Sequence, residues 1–313
     1  MKIGFWGEGP WAHDSLERLL RNDSFHVLFV VGRASVYDRT LENIAGKGNI
    51  PFFRPNEANS QEFLRIIAGF APDINVSMSY DQIIRNKLLQ IAPLGFINCH
   101  AGALPFYRGR NVLNWALING EKQFGITVHY IDEGIDTGDI IKQEFIEITA
   151  DDDYGTVLKK AEENCPRILE DALCDIAAGT GKRIPQKTIH PVGFYCGKRI
   201  DGDEKIDWNW PSERIHNFVR GIALPAPCAR SFVEEKEVRI SATSLVADAP
   251  AYIGTAGEVV GRCNEGNIVK TGDTVILLRR ILLPDEKECI SVPLFRIGTR
   301  FSSVPLKRMT QEK

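Results

Sequence analysis

The 313-residue chain has no run of about 18 apolar residues, the length that a bilayer-spanning helix needs. Its first seven residues are too short and lack the flanks of a secretory signal peptide. Neither sign of charge dominates, because 38 basic residues oppose 41 acidic ones and the formal net charge is −3. We therefore expect no membrane partner and no nucleic-acid partner, although a local basic patch would still suit the phosphates of a nucleotide.

The seven cysteines form no Cys-x-x-Cys pair, so their spacing indicates neither a zinc site nor a disulfide framework. A scattered, odd-numbered set is typical of reduced thiols and predicts a cytoplasmic protein. Cys99 lies between Asn98 and His100, where it could be mistaken for a nucleophile. On a strand its side chain points away from the face that its two neighbours share, so we interpret it as a core residue.

The dinucleotide-binding fingerprint is incomplete. Gly7 and Gly9 follow the first predicted strand, but the third glycine of Gly-x-Gly-x-x-Gly is missing and Pro10 follows directly. This segment predicts a tight turn from a strand into a helix. Backbone amides at such a turn can bind a phosphate of the substrate.

Short apolar strands alternate with helical stretches up to about residue 145. Strands are predicted over 2–6, 26–31, 74–78, 96–99 and 126–131, and helices over 11–21, 60–68 and 111–118. This alternation predicts an α/β fold with a doubly wound, mainly parallel, Rossmann-like sheet. Ligands of such sheets bind at the carboxyl ends of the strands.

The second half of the chain has a different pattern. A long helix is predicted over 151–178, and Pro166 should kink it or split it in two. A short helix over 211–222 precedes alternating strands with Gly or Asp turns, up to about residue 296. These strands predict a smaller β-rich, OB-like domain. We expect a catalytic domain over 1–190, a linker over 191–205 and a β-barrel-like domain over 206–313.

Three polar residues near predicted strand ends form a set suited to acyl transfer to an amine. Asn98 can donate a hydrogen bond to a developing oxyanion, and His100 can take the proton of the amine. Asp136 can orient the imidazole and stabilise its charged form. His129 lies inside an apolar run, and we interpret it as a strand histidine with its hydrogen bonds satisfied.

The segment 98–105 and the later Asp136-Thr137-Gly138 resemble the folate-dependent formyltransferases, whose motifs are Asn-x-His-x-Ser-x-Leu-Pro and Asp-x-Gly. Gly102 departs from this pattern, because many members carry serine there, and we assign it no role. The resemblance implies 10-formyltetrahydrofolate as formyl donor, no metal, and catalytic roles for Asn98, His100 and Asp136. It implies that the pterin lies against two loops, with folate-binding positions at Met78, Tyr80, Ile83, Ile84, Asp132 and Gly134.

The segment 108–121 is similar to formyltransferase domains that act on nucleotide-linked amino sugars, including UDP-4-amino-4-deoxyarabinose. This similarity implies a dTDP-, UDP- or GDP-linked 3- or 4-amino-dideoxy sugar as acceptor, for a surface polysaccharide such as the lipopolysaccharide O-antigen. The substrate-binding positions are then Arg108, Gly109, Asn111, Gly7 and Gly9.

Two other functions remain open. A methionyl-tRNA formyltransferase shares both domains, but the acidic balance of this chain argues against it, because tRNA phosphates attract basic surfaces. A non-catalytic folate- or nucleotide-binding module is the other, and the complete catalytic triplet argues against it. A homodimer is compatible with either enzyme.

Overall fold

The computed structural model describes residues 1–35, 38–282 and 294–305. The chain divides into two compact units. The first comprises Met1–Val112, Gln123–Glu147 and Lys159–Gly197, and the second comprises Leu113–Lys122, Ile148–Leu158 and the chain from Lys198 onward. Within the described residues, no helix combines the length and the hydrophobicity needed to cross a membrane.

The elements are numbered along the chain. Up to residue 147 they are β1 (Lys2–Gly7), α1 (Pro10–Arg21), β2 (His26–Val31), α2 (Thr40–Lys47), β3 (Phe52–Phe53), α3 (Gln61–Gly69), β4 (Ile74–Met78), α4 (Asn86–Leu89), β5 (Phe96–His100), β6 (Arg108–Gly109), α5 (Val112–Ile118), β7 (Gln123–Tyr130) and β8 (Ile140–Glu147). Beyond it they are α6 (Tyr154–Ala177), α7 (Gln186–Ile189), β9 (Tyr195–Cys196), α8 (Ser212–Gly221), β10 (Ala229–Val233), β11 (Lys236–Leu245), β12 (Val259–Cys263), β13 (Gly266–Lys270), β14 (Val275–Leu282) and β15 (Phe301–Ser302).

The main sheet of the first unit has the strand order β3-β2-β1-β4-β5-β7-β8. The strands from β3 to β5 pair in parallel, whereas β7 pairs antiparallel with β5 and with β8. The predicted α/β fold with a mainly parallel sheet is confirmed. Sequence patterns missed β8, because Lys142, Gln143 and Glu144 interrupt its apolar run. The connection from β7 to β8 is too short for a parallel crossover, so the chain turns back directly.

An aromatic cluster around Trp6 packs against one face of this sheet. The Trp6 ring is fully buried, and its centroid lies 5.5 Å from that of Phe96 and 5.9 Å from that of Phe63. Its indole nitrogen donates to Asn75 Oδ1 over 3.1 Å, which pairs the buried indole N–H with a buried amide oxygen. These contacts join β1, β4 and β5 and keep their carboxyl ends at one edge of the sheet.

The long helix α6 is continuous from Tyr154 to Ala177 with Pro166 inside it. The expectation of a helix over 151–178 is confirmed, but a split at the proline is wrong. Proline removes one helical hydrogen bond, yet Ile168 and Leu169 on the following turn are fully buried. Burial of this apolar face stabilises the helix across the missing bond.

The second unit contains a six-stranded sheet in the order β12-β13-β14-β11-β10-β15. Its pairs are antiparallel, and a buried core around Trp208, Phe218 and Ile240 covers it. The Trp208 indole donates to Ser231 Oγ over 3.0 Å. The predicted β-rich C-terminal domain is confirmed. The predicted run of strands extends to about residue 296, and its part between 283 and 293 lies outside the described residues.

Candidate active site

The end of β5 presents two polar side chains on one face. Asn98 and His100 are two residues apart on the strand, so they share a face, and Cys99 points to the other. The Cys99 side chain is 6% exposed, and its Sγ lies 3.7 Å from the carbonyl oxygen of Cys165. The hydrogen bond to Cys165 and burial both raise the pKa of the Cys99 thiol. The interpretation of Cys99 as a core residue is confirmed.

Asp136 lies opposite this face, in the turn between β7 and β8. Its Oδ2 is 3.7 Å from His100 Nδ1, and its Oδ1 is 3.5 Å from His129 Nε2. The backbone N–H of Gly109 donates to Oδ2 over 2.8 Å. Asp136 has a φ of +53°, a left-handed backbone conformation that residues other than glycine rarely adopt. The structure thus brings His100 and Asp136 together and adds the Gly109 amide to them.

His129 is a member of this cluster that the sequence did not reveal. Its Nδ1 lies 2.8 Å from the carbonyl oxygen of Tyr130, so Nδ1 carries a hydrogen. Its Nε2 lies 3.4 Å from Asn98 Nδ2 and faces Asp136. The interpretation of His129 as a buried strand histidine is correct, but it omitted this contact with the site. The antiparallel register places His129 opposite Asn98, and only that pairing identifies it.

Asp136 is ionised at neutral pH. Burial raises its pKa, but electrostatic attraction by the His100 imidazole, the hydrogen bond and attraction of the His129 imidazole, and the Gly109 N–H lower it by more. The net effect holds the pKa of Asp136 well below that of an ordinary aspartate. Two imidazoles and one amide therefore surround a fixed negative charge.

The lowered pKa predicts how stability depends on pH. A carboxyl group whose pKa is lower in the folded state contributes stability above its unfolded pKa, about 3.9, and loses it as the pH falls through the folded value. We expect Asp136→Asn to be less stable than the unaltered protein at pH 6 and the difference to shrink below about pH 4. Urea denaturation measures this. Asp151→Asn, at an exposed carboxylate, is the control. An equal difference at pH 3 and pH 6 would contradict the assignment.

The positions predicted to bind folate differ in environment. Met78 ends β4 and is 1% exposed, Ile84 is buried, and Ile83 is 70% exposed. The Tyr80 ring packs edge-on against Trp6, with centroids 5.5 Å apart. Its buried hydroxyl has no hydrogen-bond partner among the residues described, and burial raises the pKa of the phenol. Asp132 and Gly134 lie in the exposed turn before Asp136, where Asp132 Oδ1 accepts from the Gly134 N–H over 3.0 Å.

Gln186 holds the turn around Asp136 against Arg108. Its Nε2 donates to the carbonyl oxygens of Asp136 and Gly138 over 2.8 and 2.9 Å. Its Oε1 accepts from Arg108 Nε and Nη2 over 3.0 and 2.6 Å. The Arg108 guanidinium, predicted to bind substrate, is therefore engaged with Gln186. Because Gln186 is 4% exposed, this network is internal to the protein.

The other positions predicted to bind substrate lie at backbone turns. Arg108–Gly109 pairs in parallel with Tyr195–Cys196, and Asn111 follows with a φ of +54°. Gly7 approaches Met78, because a Cβ on Gly7 would lie 2.5 Å from the Met78 carbonyl oxygen. Gly9 has a φ of +86° and begins α1. Of these residues, Gly109 contacts Asp136 directly.

An aromatic patch, formed by Phe106, Tyr107, His190, Phe194 and Tyr195, lies beside this segment. The Phe194 centroid is 4.9 Å from that of Tyr107 and 5.5 Å from that of Phe106. Phe194 and Tyr195 are 42% and 55% exposed. The carbonyl oxygen of Tyr107 also contacts His100 Nε2 over 2.7 Å, so the patch adjoins the catalytic candidates.

Two family models match the chain. The model described as "Formyl transferase" matches residues 1–173, and "Formyl transferase, C-terminal domain" matches residues 200–296. The first of these covers more than half of the 313 residues. The chain belongs to the formyltransferase family. It is a formyl-transferring enzyme.

Similar proteins include methionyl-tRNA formyltransferases. That of Ruminiclostridium cellulolyticum is 32% identical over 295 residues, covering 92% of this chain and 93% of the relative. That of Pelotomaculum thermopropionicum is 35% identical over 279 residues, covering 87% and 88%. Among solved structures, the sugar 3N-formyltransferase WlaRD with dTDP and 5-N-formyl-THF has a TM-score of 0.70 at 22% identity, covering 91% of this chain and 98% of WlaRD. An N-formyltransferase from Helicobacter canadensis, in complex with folinic acid and dTDP-3-aminofucose, has a TM-score of 0.65 at 22% identity, covering 89% and 99%.

The expected nucleotide-linked amino sugar as acceptor is wrong. Relatives that are 28% to 35% identical over most of the chain are methionyl-tRNA formyltransferases, whereas the sugar enzymes, at 22% identity, share the fold. Two polar side chains of the segment 108–121, which carried the expectation, make internal contacts. Arg108 binds Gln186, and Asn114 Nδ2 donates to the Gly221 carbonyl oxygen over 2.8 Å. Because these relatives are methionyl-tRNA formyltransferases, the similarity also argues against the expectation that this protein has no nucleic-acid partner.

Proposed function

We propose that this formyltransferase transfers the formyl group of 10-formyltetrahydrofolate to the methionyl amine of methionyl-tRNA. The proposal rests on the identity to methionyl-tRNA formyltransferases, which extends across both family domains. The cluster of Asn98, His100 and Asp136 supports it, since an amine acceptor needs a base and a developing oxyanion needs a donor.

The residues near β4 fit a reduced folate. A pterin ring has hydrogen-bonding edges and flat apolar faces, so its pocket combines apolar side chains with a few polar groups. Met78 and Ile84 supply apolar surface, and the Tyr80 hydroxyl is a buried polar atom that lacks a partner within the described chain. We propose Met78, Tyr80, Ile83, Ile84, Asp132 and Gly134 as the folate-binding positions. The folate supplies an activated formyl carbon and accepts a proton on the nitrogen that releases it.

Each of the three catalytic candidates has a different role in the proposed reaction. His100 takes the proton that the methionyl amine loses as it bonds to the formyl carbon. The Asn98 amide donates to the formyl oxygen as that oxygen becomes negative, and removing such a donor typically costs about 10²- to 10³-fold in rate. Asp136 stays ionised and stabilises the imidazolium of His100 once the proton has moved. His129 holds Asn98 and Asp136 in place from β7.

A net charge of −3 does not prevent contact with tRNA, because phosphate binding depends on local groups. Arg110 and Lys187 are exposed and follow directly on Gly109 and Gln186, two residues of the active-site network. We propose that these cations neutralise phosphates of the acceptor stem end. Gly7, Gly9 and Asn111 remain proposed substrate positions with backbone amides at turns.

The test is a formylation assay with purified protein, 10-formyltetrahydrofolate and methionyl-tRNA. Mass spectrometry of the amino acid released from the tRNA should show formylmethionine, and omission of the folate should abolish it. The variant His100→Asn, purified from the same host strain, controls for a contaminating host enzyme. dTDP- and UDP-linked amino sugars form a parallel arm. Formyl transfer to an amino sugar, with none to methionyl-tRNA, would overturn the proposal.

A further inference from the structure

The aromatic patch takes no part in the chemistry proposed above, yet part of it is open to solvent. Phe194 and Tyr195 are 42% and 55% exposed, although phenylalanine is among the side chains most often buried. None of the five members of the patch carries a carboxylate. Contiguous exposed apolar surface of this kind marks sites that bind a ligand or a partner.

Backbone hydrogen bonds hold the exposed rings in a fixed place. The carbonyl oxygen of Phe194 accepts from the Arg108 N–H over 3.2 Å, and the Cys196 carbonyl oxygen accepts from the Arg110 N–H over 3.0 Å. The Phe194 ring meets the Tyr107 ring edge-on. Because the rings are ordered before any ligand arrives, binding of a flat ligand costs little conformational entropy.

Tyr107 connects the patch to the catalytic candidates. Its ring is 8% exposed and packs against Phe194, with centroids 4.9 Å apart. Its carbonyl oxygen lies 2.7 Å from His100 Nε2. The exposed rings are therefore one residue away from the side chain proposed as the base, within the same compact unit.

The proposed acceptor carries its amine on a methionyl group that is esterified to the ribose of a terminal adenosine. Single bonds of about 1.5 Å join the amine to the base, so adenine lies within roughly 10 Å of the amine. When the amine meets His100, adenine has to lie near the residues that surround His100. The terminal nucleotide of tRNA is unpaired, so its base is able to stack on an aromatic ring.

Cations border the patch and suit the phosphate that precedes this base. The Arg108 guanidinium carbon lies 5.5 Å from the centroid of the Tyr195 ring. Arg110 and Lys187 are exposed and lie three residues along the chain from Tyr107 and His190, respectively. Aromatic rings beside basic groups are the combination with which proteins bind single-stranded nucleic acid.

We propose that the aromatic patch binds the terminal adenine of the acceptor tRNA by stacking, chiefly on Phe194. The methionyl ester then extends past Tyr107 to His100. Stacking contributes to binding and not to the chemical step, because the contacts of the base are the same before and during formyl transfer. The inference rests on the proposed function and goes beyond it by placing the 3′ end of the acceptor.

The first test compares KM with kcat. Phe194→Leu keeps apolar contact with Tyr107 but removes the aromatic face. We expect KM for methionyl-tRNA to rise by about 5- to 100-fold, the effect of losing one stacked base, while kcat stays unchanged. Phe194→Trp should keep KM low. Phe145→Leu, at a 52% exposed phenylalanine on β8, is the control. An unchanged KM in a folded Phe194→Leu variant would overturn the proposal.

The second test needs no turnover. Its probe is an adenosine that carries methionine through a stable amide on the ribose, and saturation-transfer NMR shows which of its protons contact the protein. We expect saturation of the adenine protons with the unaltered protein and with Phe145→Leu, and loss of that saturation with Phe194→Leu. Saturation confined to the methionyl group, or equal adenine saturation in Phe194→Leu, would assign the patch to another ligand.

The outcomes separate this inference from the proposed function. Normal formylation of methionyl-tRNA, with KM and adenine saturation unaffected by Phe194→Leu, would reject the stacking site alone. Absence of any formylation of methionyl-tRNA by the unaltered protein would reject the proposed function and this inference with it.

Discussion

Replacing His100 by asparagine is expected to lower kcat by about 10²- to 10⁴-fold, the range contributed by a general base. Asparagine keeps an N–H that can reach the Tyr107 carbonyl, but it cannot take a proton from the acceptor amine. Single-turnover formylation of methionyl-tRNA with saturating 10-formyltetrahydrofolate measures the change.

The affinity for both substrates and the melting temperature separate catalysis from folding in this variant. We expect the substrate affinities to stay close to those of the unaltered protein and the melting temperature to fall only modestly, because asparagine loses the interaction with Asp136 but keeps an N–H for the Tyr107 carbonyl. A kcat near that of the unaltered enzyme would remove His100 from catalysis. Loss of activity in step with a large drop in melting temperature would instead indicate a structural histidine.

Removing the carboxylate of Asp136 is expected to lower kcat by on the order of 10³- to 10⁴-fold, as loss of the aspartate does in other histidine-based sites. Asp136→Asn keeps an oxygen for the Gly109 N–H but loses the negative charge that stabilises the His100 imidazolium. Asp136→Ala loses both. Pre-steady-state kinetics of the two variants measure the effect on the chemical step.

Comparing Asp136→Asn with Asp136→Ala also separates the effect of the lost negative charge from the effect of the lost hydrogen-bond acceptor. Asp136→Ala leaves the Gly109 N–H without its acceptor, which typically costs a further 1–3 kcal/mol of stability, about the penalty of an unpaired buried donor. Equal kcat values in the two variants, with lower stability in the alanine variant, would assign the catalytic effect to charge. Full activity in Asp136→Asn would contradict the proposed role.

The sequence predicted that Asn98, His100 and Asp136 lie together, and the structure places them in one cluster. Asn98 and His100 end β5, and Asp136 lies in the connection that follows β7, the neighbouring strand in the sheet. Because β7 runs antiparallel to β5, the connection between β7 and β8, rather than a shared carboxyl edge, brings Asp136 to His100. His129 was missed because its position depends on the antiparallel register of β7 against β5. Strand patterns do not specify which strands pair or in which register.

The acceptor prediction failed for two physical reasons. Net charge averages over the whole surface, whereas binding of phosphates depends on the few cations near them. The segment 108–121 looked like a substrate-binding feature, but Arg108 and Asn114 direct their polar groups to other parts of the protein. A motif in the sequence does not separate residues that contact a ligand from residues that hold the loop in shape.

The contacts of Gln186 limit how far the chain could be shortened without disturbing the active site. The three catalytic candidates lie between residues 98 and 136, so a fragment ending with α6 would retain all of them. That fragment would lose the amide that binds the Asp136 and Gly138 carbonyls and the strand that pairs with Arg108–Gly109. The stretch after α6, which is polar and glycine-rich, is therefore part of the smallest fragment of the chain that would keep these active-site contacts.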